Sequence, residues 1–138
     1  MEFICNLVLV FCNLNKMTDK SEIKHKYDLE ERTYKFAKEV RLFIKSLAFS
    51  IANQEDGKQL IRSSGSVGAN YIEANESLSK KDFVMRIKIC RKEAKESAYW
   101  LRLIMNTNTL ENNSEGNNLL DEAIQLKKIF NSILQKSQ

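Results

Sequence analysis

Proline is absent from this chain of 138 residues, and glycine occurs only four times. Because turns and disordered segments are rich in these residues, their scarcity argues against a loop-rich β-sandwich and against a disordered chain. The only histidine is His25, which leaves little for metal binding or acid–base catalysis. The three cysteines, Cys5, Cys12 and Cys90, form no CxxC pair, so neither a disulfide framework nor a zinc site is predicted. These absences favour a helical protein of the reducing cytoplasm.

The remaining composition is that of an ordinary soluble domain, with 43% hydrophobic and 29% charged residues. The length fits a single domain, since one hydrophobic core typically occupies about 100–150 residues. The net charge of +4 is a mild basic excess, which permits contact with anions without requiring it.

Residues 1–26 are predicted to be an N-terminal extension to a bundle domain at 27–138. The apolar run at 3–14, FICNLVLVFCNL, is shorter than the roughly 20 residues of a membrane span, so no membrane association is predicted. It also lacks the basic region and cleavage site of a signal peptide. Three interpretations stay open: residues 1–16 precede a true start at Met17, they are a short strand or helix that docks on a partner, or they are an export or membrane signal. The polar stretch that follows them is predicted to be a flexible lead-in.

From residue 27 onward, apolar residues recur every three or four positions, which is the period of an amphipathic helix. Capping boxes are predicted at Asp28 with Glu31 and at Ser79 with Asp82. Four amphipathic helices with short connections predict an all-α fold, an antiparallel up-down four-helix bundle. The predicted helices cover about 28–47, 55–77, 80–105 and 117–136, with breaks at 50–56 and 106–118.

Each predicted helix has one stripe of residues that we expect to face the core of the bundle. The stripes are Leu29, Phe36, Ala37, Val40, Phe43, Ile44 and Leu47; Leu60, Ser64, Val67, Tyr71 and Ala74; Phe83, Ile87, Cys90, Ala94, Ser97, Leu101 and Ile104; and Leu119, Ala123, Leu126, Phe130 and Ile133.

Beside its core stripe, the second predicted helix carries a glycine stripe, which consists of Ile61, Gly65, Gly68 and Ile72. A glycine inside a helix costs roughly 1 kcal/mol relative to alanine, and this cost is explained where another backbone approaches closely. Two interpretations stay open: a tightly packed neighbour in the same bundle, or an interface between subunits of a homo-oligomer.

The third predicted helix carries most of the charge. Residues 77–105 contain eight basic and three acidic residues, a net of +5, against +4 for the whole chain. Nearly opposite the core stripe lies a set of cations with one aromatic residue, which can neutralise phosphates and stack a base. The alternative is an ordinary solvated helix face, with Glu93 and Glu96 partly pairing the cations. We name this set the basic face: Lys81, Lys88, Lys92, Lys95, Tyr99 and Arg102.

No sequence pattern indicates catalysis. Residues 73–76 and 93–96 have ExxE spacing, but the ExxH partners of a di-iron bundle are missing. Cys90 lies on the core stripe without a nearby histidine, so we expect it to pack rather than react. Phosphate-binding and dinucleotide motifs are missing as well. The sequence therefore predicts a protein that is not an enzyme and holds neither a metal nor a cofactor.

Longer motifs in the chain resemble those of a known protein family. The chain is similar to the four-helix-bundle proteins encoded in intervening sequences of bacterial 23S rRNA genes, over about residues 27–135. Residues 1–16 lie outside this pattern, and the proline often found between the first two helices of such proteins is missing. The motifs are DLEERT at 28–33, QLIRSSGSVGAN at 59–70 with Glu73 and Ala74, SKKDF at 79–83, RKEAKE at 91–96, and YWLR at 99–102.

The resemblance implies a four-helix bundle that assembles as a homopentamer and has no established enzymatic activity, so it transfers no catalytic residue. A more distant resemblance is to the accessory variability determinant of diversity-generating retroelements. That protein is similar in fold, is pentameric, and binds nucleic acid and a reverse transcriptase through a basic surface.

Two hypotheses of function follow. In the first, an oligomer binds RNA or DNA through the basic face. In the second, the bundle is a scaffold without nucleic-acid binding, and its glycine stripe and N-terminal apolar segment dock on protein partners.

Overall fold

The described part of the chain forms four helices. The structure is a computed structural model that describes residues 19–110 and 113–138, with side chains described from residue 28 onward. Each helix packs against the next along the chain, and the first also packs against the last. In the ranges described there is no strand, so the predicted all-α four-helix bundle is confirmed. The helices are α1 (Asp19–Ser46), α2 (Ile51–Asn75), α3 (Lys80–Thr107) and α4 (Ser114–Lys136).

Helix α1 begins earlier than the sequence pattern predicts. It starts at Asp19, so residues 19–27 are helical. The predicted flexible lead-in is therefore wrong from Asp19 onward. The predicted capping box at Asp28 is also wrong, because this residue lies inside the helix. Lysine and glutamate have high helix propensity, and they continue the helix where no apolar period marks it. The interpretations of residues 1–16 concern positions outside the described residues.

A serine cap starts each of the two central helices. Ser50 Oγ accepts a hydrogen bond from the Asn53 backbone N–H at 3.0 Å, so α2 begins within the stretch that was predicted to be a break. The Asn53 side chain also donates to the Ala48 carbonyl at 2.8 Å, which holds the short connection against the helix. Ser79 Oγ accepts from the Asp82 N–H at 3.1 Å, and this confirms the predicted start of α3.

The predicted core stripes lie at the centre of the bundle. All of their residues are buried except Ala37, Ile44, Leu47, Phe83 and Ile133, which are half-buried at the edges. Between α2 and α3 the core includes polar contacts: the Ser97 hydroxyl donates to Ser63 Oγ at 2.9 Å. Cys90 Sγ donates to the Val67 carbonyl at 3.4 Å, so Cys90 is a packing residue, as predicted.

Helices α1 and α2 are in tight contact at Gly68. An ideal Cβ on Gly68 would lie 2.9 Å from Thr33 Oγ1, a distance that real Cβ atoms essentially never show. Gly65 differs, because its Cβ would meet only the flexible guanidinium of Arg41, at 3.2 Å. The close approach at Gly68 therefore lies within one bundle, which accounts for this glycine without a second subunit. The predicted subunit interface stays a prediction.

Burial raises the pKa of two core groups. The Cys90 thiol, which is fully buried, has its pKa raised from 9.0 to about 12, mainly because burial disfavours the thiolate. The pKa of the Tyr71 hydroxyl is raised from 10.0 to about 12, also mainly by burial. Both groups therefore stay protonated in the folded state under conditions in which the unfolded chain loses the protons.

The first prediction compares the two central glycines of α2. Alanine at either position brings the same gain in helix propensity. The difference between the free energies of unfolding of the two variants therefore reports on the contact with Thr33. We expect Gly68→Ala to be less stable than Gly65→Ala by about 1–3 kcal/mol, the usual cost of overpacking. Urea unfolding of the two variants measures this difference. Equal stabilities would contradict the close α1–α2 contact.

The second prediction is a loss of stability at alkaline pH. Between pH 9 and about 12, the folded state keeps the Cys90 proton that the unfolded state releases, so the free energy of unfolding falls as pH rises. Urea unfolding at several pH values through this window gives the slope. In Cys90→Ala the slope should be shallower between pH 9 and 10, and an unchanged slope would show that this thiol is not buried as described.

Candidate nucleic-acid interface on helix α3

Helix α3 presents one outward face because it is packed between α2 and α4. Its opposite side is fully buried at Ile87, Cys90 and Leu101. Residues spaced by three, four and seven positions along the rest of the helix lie on the same side. Consequently all six residues of the basic face are exposed and lie along one surface of the bundle, as the sequence pattern predicts.

The cations of the basic face have no acidic partners. Within the side chains that the structure describes, no carboxylate lies within ion-pair distance of Lys81, Lys88, Lys92, Lys95 or Arg102. The two other arginines in the middle of the helix turn sideways. Arg86 Nη1 donates to Asn70 on α2 at 3.1 Å, and Arg91 Nη1 donates to Asn131 on α4 at 2.9 Å. On α3, the cations for which the described side chains offer neither a hydrogen-bond nor an ion-pair partner are therefore those of the basic face together with Lys80.

In the alternative interpretation of the basic face, Glu93 and Glu96 pair its cations, but both side chains are turned elsewhere. Glu96 accepts a hydrogen bond from Arg62 Nη2 on α2 instead. Glu93 is turned inward and is only 6% exposed, and its buried Oε2 has no hydrogen-bond partner among the described groups. Glu93 and Glu96 therefore do not supply the partial pairing of the cations that the alternative interpretation assumed.

Tyr99 is held in place by its neighbour. The Tyr99 ring is 57% exposed and contacts the Trp100 ring edge-on, with ring centroids 4.9 Å apart and an interplanar angle of 78°. Trp100 Nε1 in turn donates to Glu96 Oε1 at 3.2 Å, and Arg62 binds the same oxygen. A chain of contacts from α2 thus supports an exposed aromatic ring within the row of cations.

Sequence reasoning missed this supporting chain. The i,i+4 spacing of Glu96 and Trp100 is visible in the sequence and is typical of side chains in contact on a helix. The partner Arg62 comes from another helix, 34 positions earlier in the chain. No local spacing indicates which acidic residue it binds.

An open apolar surface lies at the start of α3, and sequence reasoning missed it as well. It is formed by Lys80, Lys81, Val84, Met85 and Lys88, all of this one helix. Met85 is 50% exposed and stands between two lysines of the basic face. The sequence does indicate that Met85 lies on the same side of the helix as these lysines, because it follows Lys81 by four positions and precedes Lys88 by three.

The predicted interface residues of the glycine stripe are divided between inside and outside. Gly68 is buried against α1, whereas Ile61 and Gly65 are half-buried and Ile72 is 52% exposed. On the adjoining helix, Tyr34 is 63% exposed and directly follows Thr33, the residue that contacts Gly68. The outer edge of the α1–α2 contact therefore carries two large exposed apolar side chains.

Two further kinds of site are not found in the part of the chain that the structure describes. No group of three histidine, cysteine, aspartate or glutamate side chains there is arranged to hold a metal ion. None of the four helices has a stretch both long enough and apolar enough to cross a membrane.

Comparison with known proteins gives a family and one similar structure. A family model described as 23S rRNA-intervening sequence protein matches residues 25–132. A 1.70 Å crystal structure of a protein with unknown function, from the S23 ribosomal protein family of Bacteroides thetaiotaomicron VPI-5482, shares 27% sequence identity with this chain at a TM-score of 0.69. The match covers 80% of this chain and 97% of that one. Among curated proteins, none matches the chain.

Proposed function

The chain belongs to the 23S rRNA-intervening sequence protein family, and from this premise we propose that it is a non-enzymatic, oligomeric four-helix bundle that binds RNA or DNA through its basic face. The family membership agrees with the motifs in the second and third helices. The similar crystal structure is that of a protein with unknown function, so it supports the fold alone. The proposal therefore rests on this chain's own surface. The observation that carries it is the row of five exposed cations that have no acidic partner among the described side chains.

The chemistry of this row suits a polyanion that also has flat rings. Unpaired lysines attract phosphates, and releasing the counterions of a nucleic acid favours binding. An acidic protein surface would satisfy the lysines equally, but it offers nothing in particular to the exposed ring of Tyr99. Nucleic-acid bases stack on such rings. The combination of cations and a supported aromatic side chain therefore favours a nucleic acid.

Assembly of several copies would strengthen the same site. Each subunit of a ring adds its own basic face, and the potentials of neighbouring faces add. The exposed edge of the α1–α2 contact, with Tyr34 and Ile72, is the surface we propose for contact between copies. In this proposal the interface uses the outer part of the glycine stripe, because Gly68 itself packs against Thr33 of α1.

The second candidate function, a protein-interaction scaffold, is favoured by a different observation. At the α1–α2 connection Phe49 is 85% exposed and Ile51 is 80% exposed, which is unusual for large apolar side chains. A scaffold would use such surfaces and leave the basic face unoccupied. Binding experiments with nucleic acid separate the two functions.

The third prediction is loss of nucleic-acid binding on charge reversal. We expect the triple variant Lys88→Glu, Lys92→Glu and Lys95→Glu to lose at least about a hundredfold in affinity for RNA or DNA at low salt, because three phosphate contacts become repulsive. Fluorescence anisotropy with labelled oligonucleotides measures this loss.

The matched control for the charge reversal lies on α1. The variant Lys35→Glu, Lys38→Glu and Lys45→Glu changes the net charge equally at three exposed positions. It should keep most of the affinity. An equal loss in both variants would contradict a localised basic face, and no binding by the unaltered protein would leave the scaffold as the better account.

The fourth prediction concerns assembly. We expect Ile72→Asp to reduce the assembled mass, five times the 16.0 kDa of one chain for a pentamer, because a buried carboxylate in an interface is strongly unfavourable. Gly68→Leu is unsuitable for this test, since it clashes with Thr33 in its own bundle. Light scattering after size exclusion measures the mass, and circular dichroism verifies the helices.

Leu78 provides the control for the assembly test. It is 69% exposed in the connection between α2 and α3, outside α1 and outside the glycine stripe. Leu78→Asp should leave the mass unchanged. The proposed interface is wrong if both variants keep the mass of the unaltered protein.

A further inference from the structure

We infer that the ligand of the basic face is a single strand of RNA or DNA, laid along α3 with one base stacked on Tyr99. This inference rests on the proposed function and narrows it to one class of nucleic acid. Three features of α3 carry it: the straight row of cations, the braced ring of Tyr99, and the apolar surface at the start of the helix.

The shape of the cation row distinguishes a single strand from a duplex. From Lys81 to Arg102 the row extends roughly 31 Å along one helix. In a duplex each strand winds around the axis, so its phosphates leave such a straight line after a short distance. Helices α2 and α4 flank α3, so it cannot enter a groove of a duplex in the manner of a protruding recognition helix. An unpaired strand can straighten and follow the whole row.

The position of Tyr99 requires an accessible base. Tyr99 lies four residues after Lys95 and three before Arg102, so its ring stands between two cations on the same face. A base stacked on this ring has its neighbouring phosphates close to both cations. In a duplex the bases are paired and stacked on each other, and reaching one requires flipping it out at a cost in free energy. A single strand has no such cost.

The bracing of Tyr99 makes it a prepared stacking surface. Its edge-on contact with Trp100 limits the orientations of the exposed ring. The Trp100 indole is itself anchored to Glu96, which Arg62 binds from α2. Less conformational freedom is therefore lost when a base stacks on Tyr99, and such preorganisation increases affinity.

The apolar surface at the start of α3 offers a second apolar contact to the same strand. Val84 and Met85 form its apolar part, between Lys81 and Lys88. Met85 lies 14 residues before Tyr99, which is roughly 21 Å along the helix. The two apolar contacts thus stand near opposite ends of the row, and the cations between them are available to the phosphates. A strand of about five nucleotides or more, within the range of known single-strand sites, reaches both.

The experiment compares oligonucleotides of one length by fluorescence anisotropy at low salt. The probes are a 12-nucleotide RNA strand, a DNA strand of the same sequence, the corresponding DNA duplex and an abasic DNA strand. We expect at least one of the two single strands to bind about tenfold or more tightly than the duplex. The RNA and DNA arms show which sugar the site prefers. A duplex that binds within about tenfold of the tighter single strand overturns the inference.

Variants of Tyr99 separate stacking from charge. Loss of one base stack corresponds to roughly 5- to 150-fold in affinity, so Tyr99→Ala should bind the base-bearing strands that much more weakly. Tyr99→Phe keeps the flat ring and should bind like the unaltered protein. Neither variant should change binding of the abasic strand. The control is Phe49→Ala, which removes an exposed aromatic ring at the α1–α2 connection, outside α3 and outside the proposed contact between copies, and should have no effect.

Trp100 provides an independent optical readout, because it is the only tryptophan in the chain. A base stacked on Tyr99 lies beside the Trp100 ring, so the single strands should change the tryptophan fluorescence. The abasic strand and the duplex should change it much less. Equal changes with all four probes would contradict stacking at Tyr99.

The outcomes distinguish this inference from the proposed function. Binding that is lost in the helix-α3 charge reversal, but is equal for single strand and duplex and unaffected by Tyr99→Ala, supports the proposed function and overturns the inference. No binding of any probe by the unaltered protein overturns both.

Discussion

The ion pair between Arg62 and Glu96 joins α2 to α3, and the character of the outer surface of α3 depends on it. It draws one of the two central acidic side chains of α3 toward α2 and away from the lysines. The same carboxylate oxygen anchors the Trp100 indole, against which Tyr99 rests. A partly exposed pair of this kind contributes little to stability. The ion pair matters instead for where side chains lie. It keeps Glu96 away from the cations of the basic face, and it supports the Tyr99 ring through Trp100.

The bundle tolerates a row of like charges because its stability comes from elsewhere. Lysines spaced by three or four positions on one helix face repel each other by a few tenths of a kcal/mol per pair. The opposite side of α3 is fully buried between its neighbours, and α1 packs tightly on α2 at Gly68 and Thr33. A surface that is unfavourable for the free protein but is retained on a well-packed helix is typical of a binding site. Anionic ligands relieve the repulsion.

Much of this arrangement could be predicted from the sequence, since it depends on helical period alone. The inward stripes and the basic face are sets of residues on one side of a helix, and the structure finds both on the predicted sides. What sequence reasoning missed depends on contacts between helices. The partner of Arg62, the contact of Gly68 with Thr33 and the inward turn of Glu93 are set by how helices pack. The early start of α1 was missed because polar residues of high helix propensity give no apolar period.

The most direct test of nucleic-acid binding through the basic face is its dependence on salt concentration. Each phosphate neutralised on a single strand contributes a slope of about −0.7 to the logarithm of the association constant against the logarithm of salt, so full use of the five cations predicts a slope of about −3.5 per protomer. Measuring the affinity of the unaltered protein for one single strand across a salt series gives this slope. A value close to −3.5 agrees with the basic face as the binding surface. Binding that does not change with salt, or no binding at the lowest salt, would contradict it.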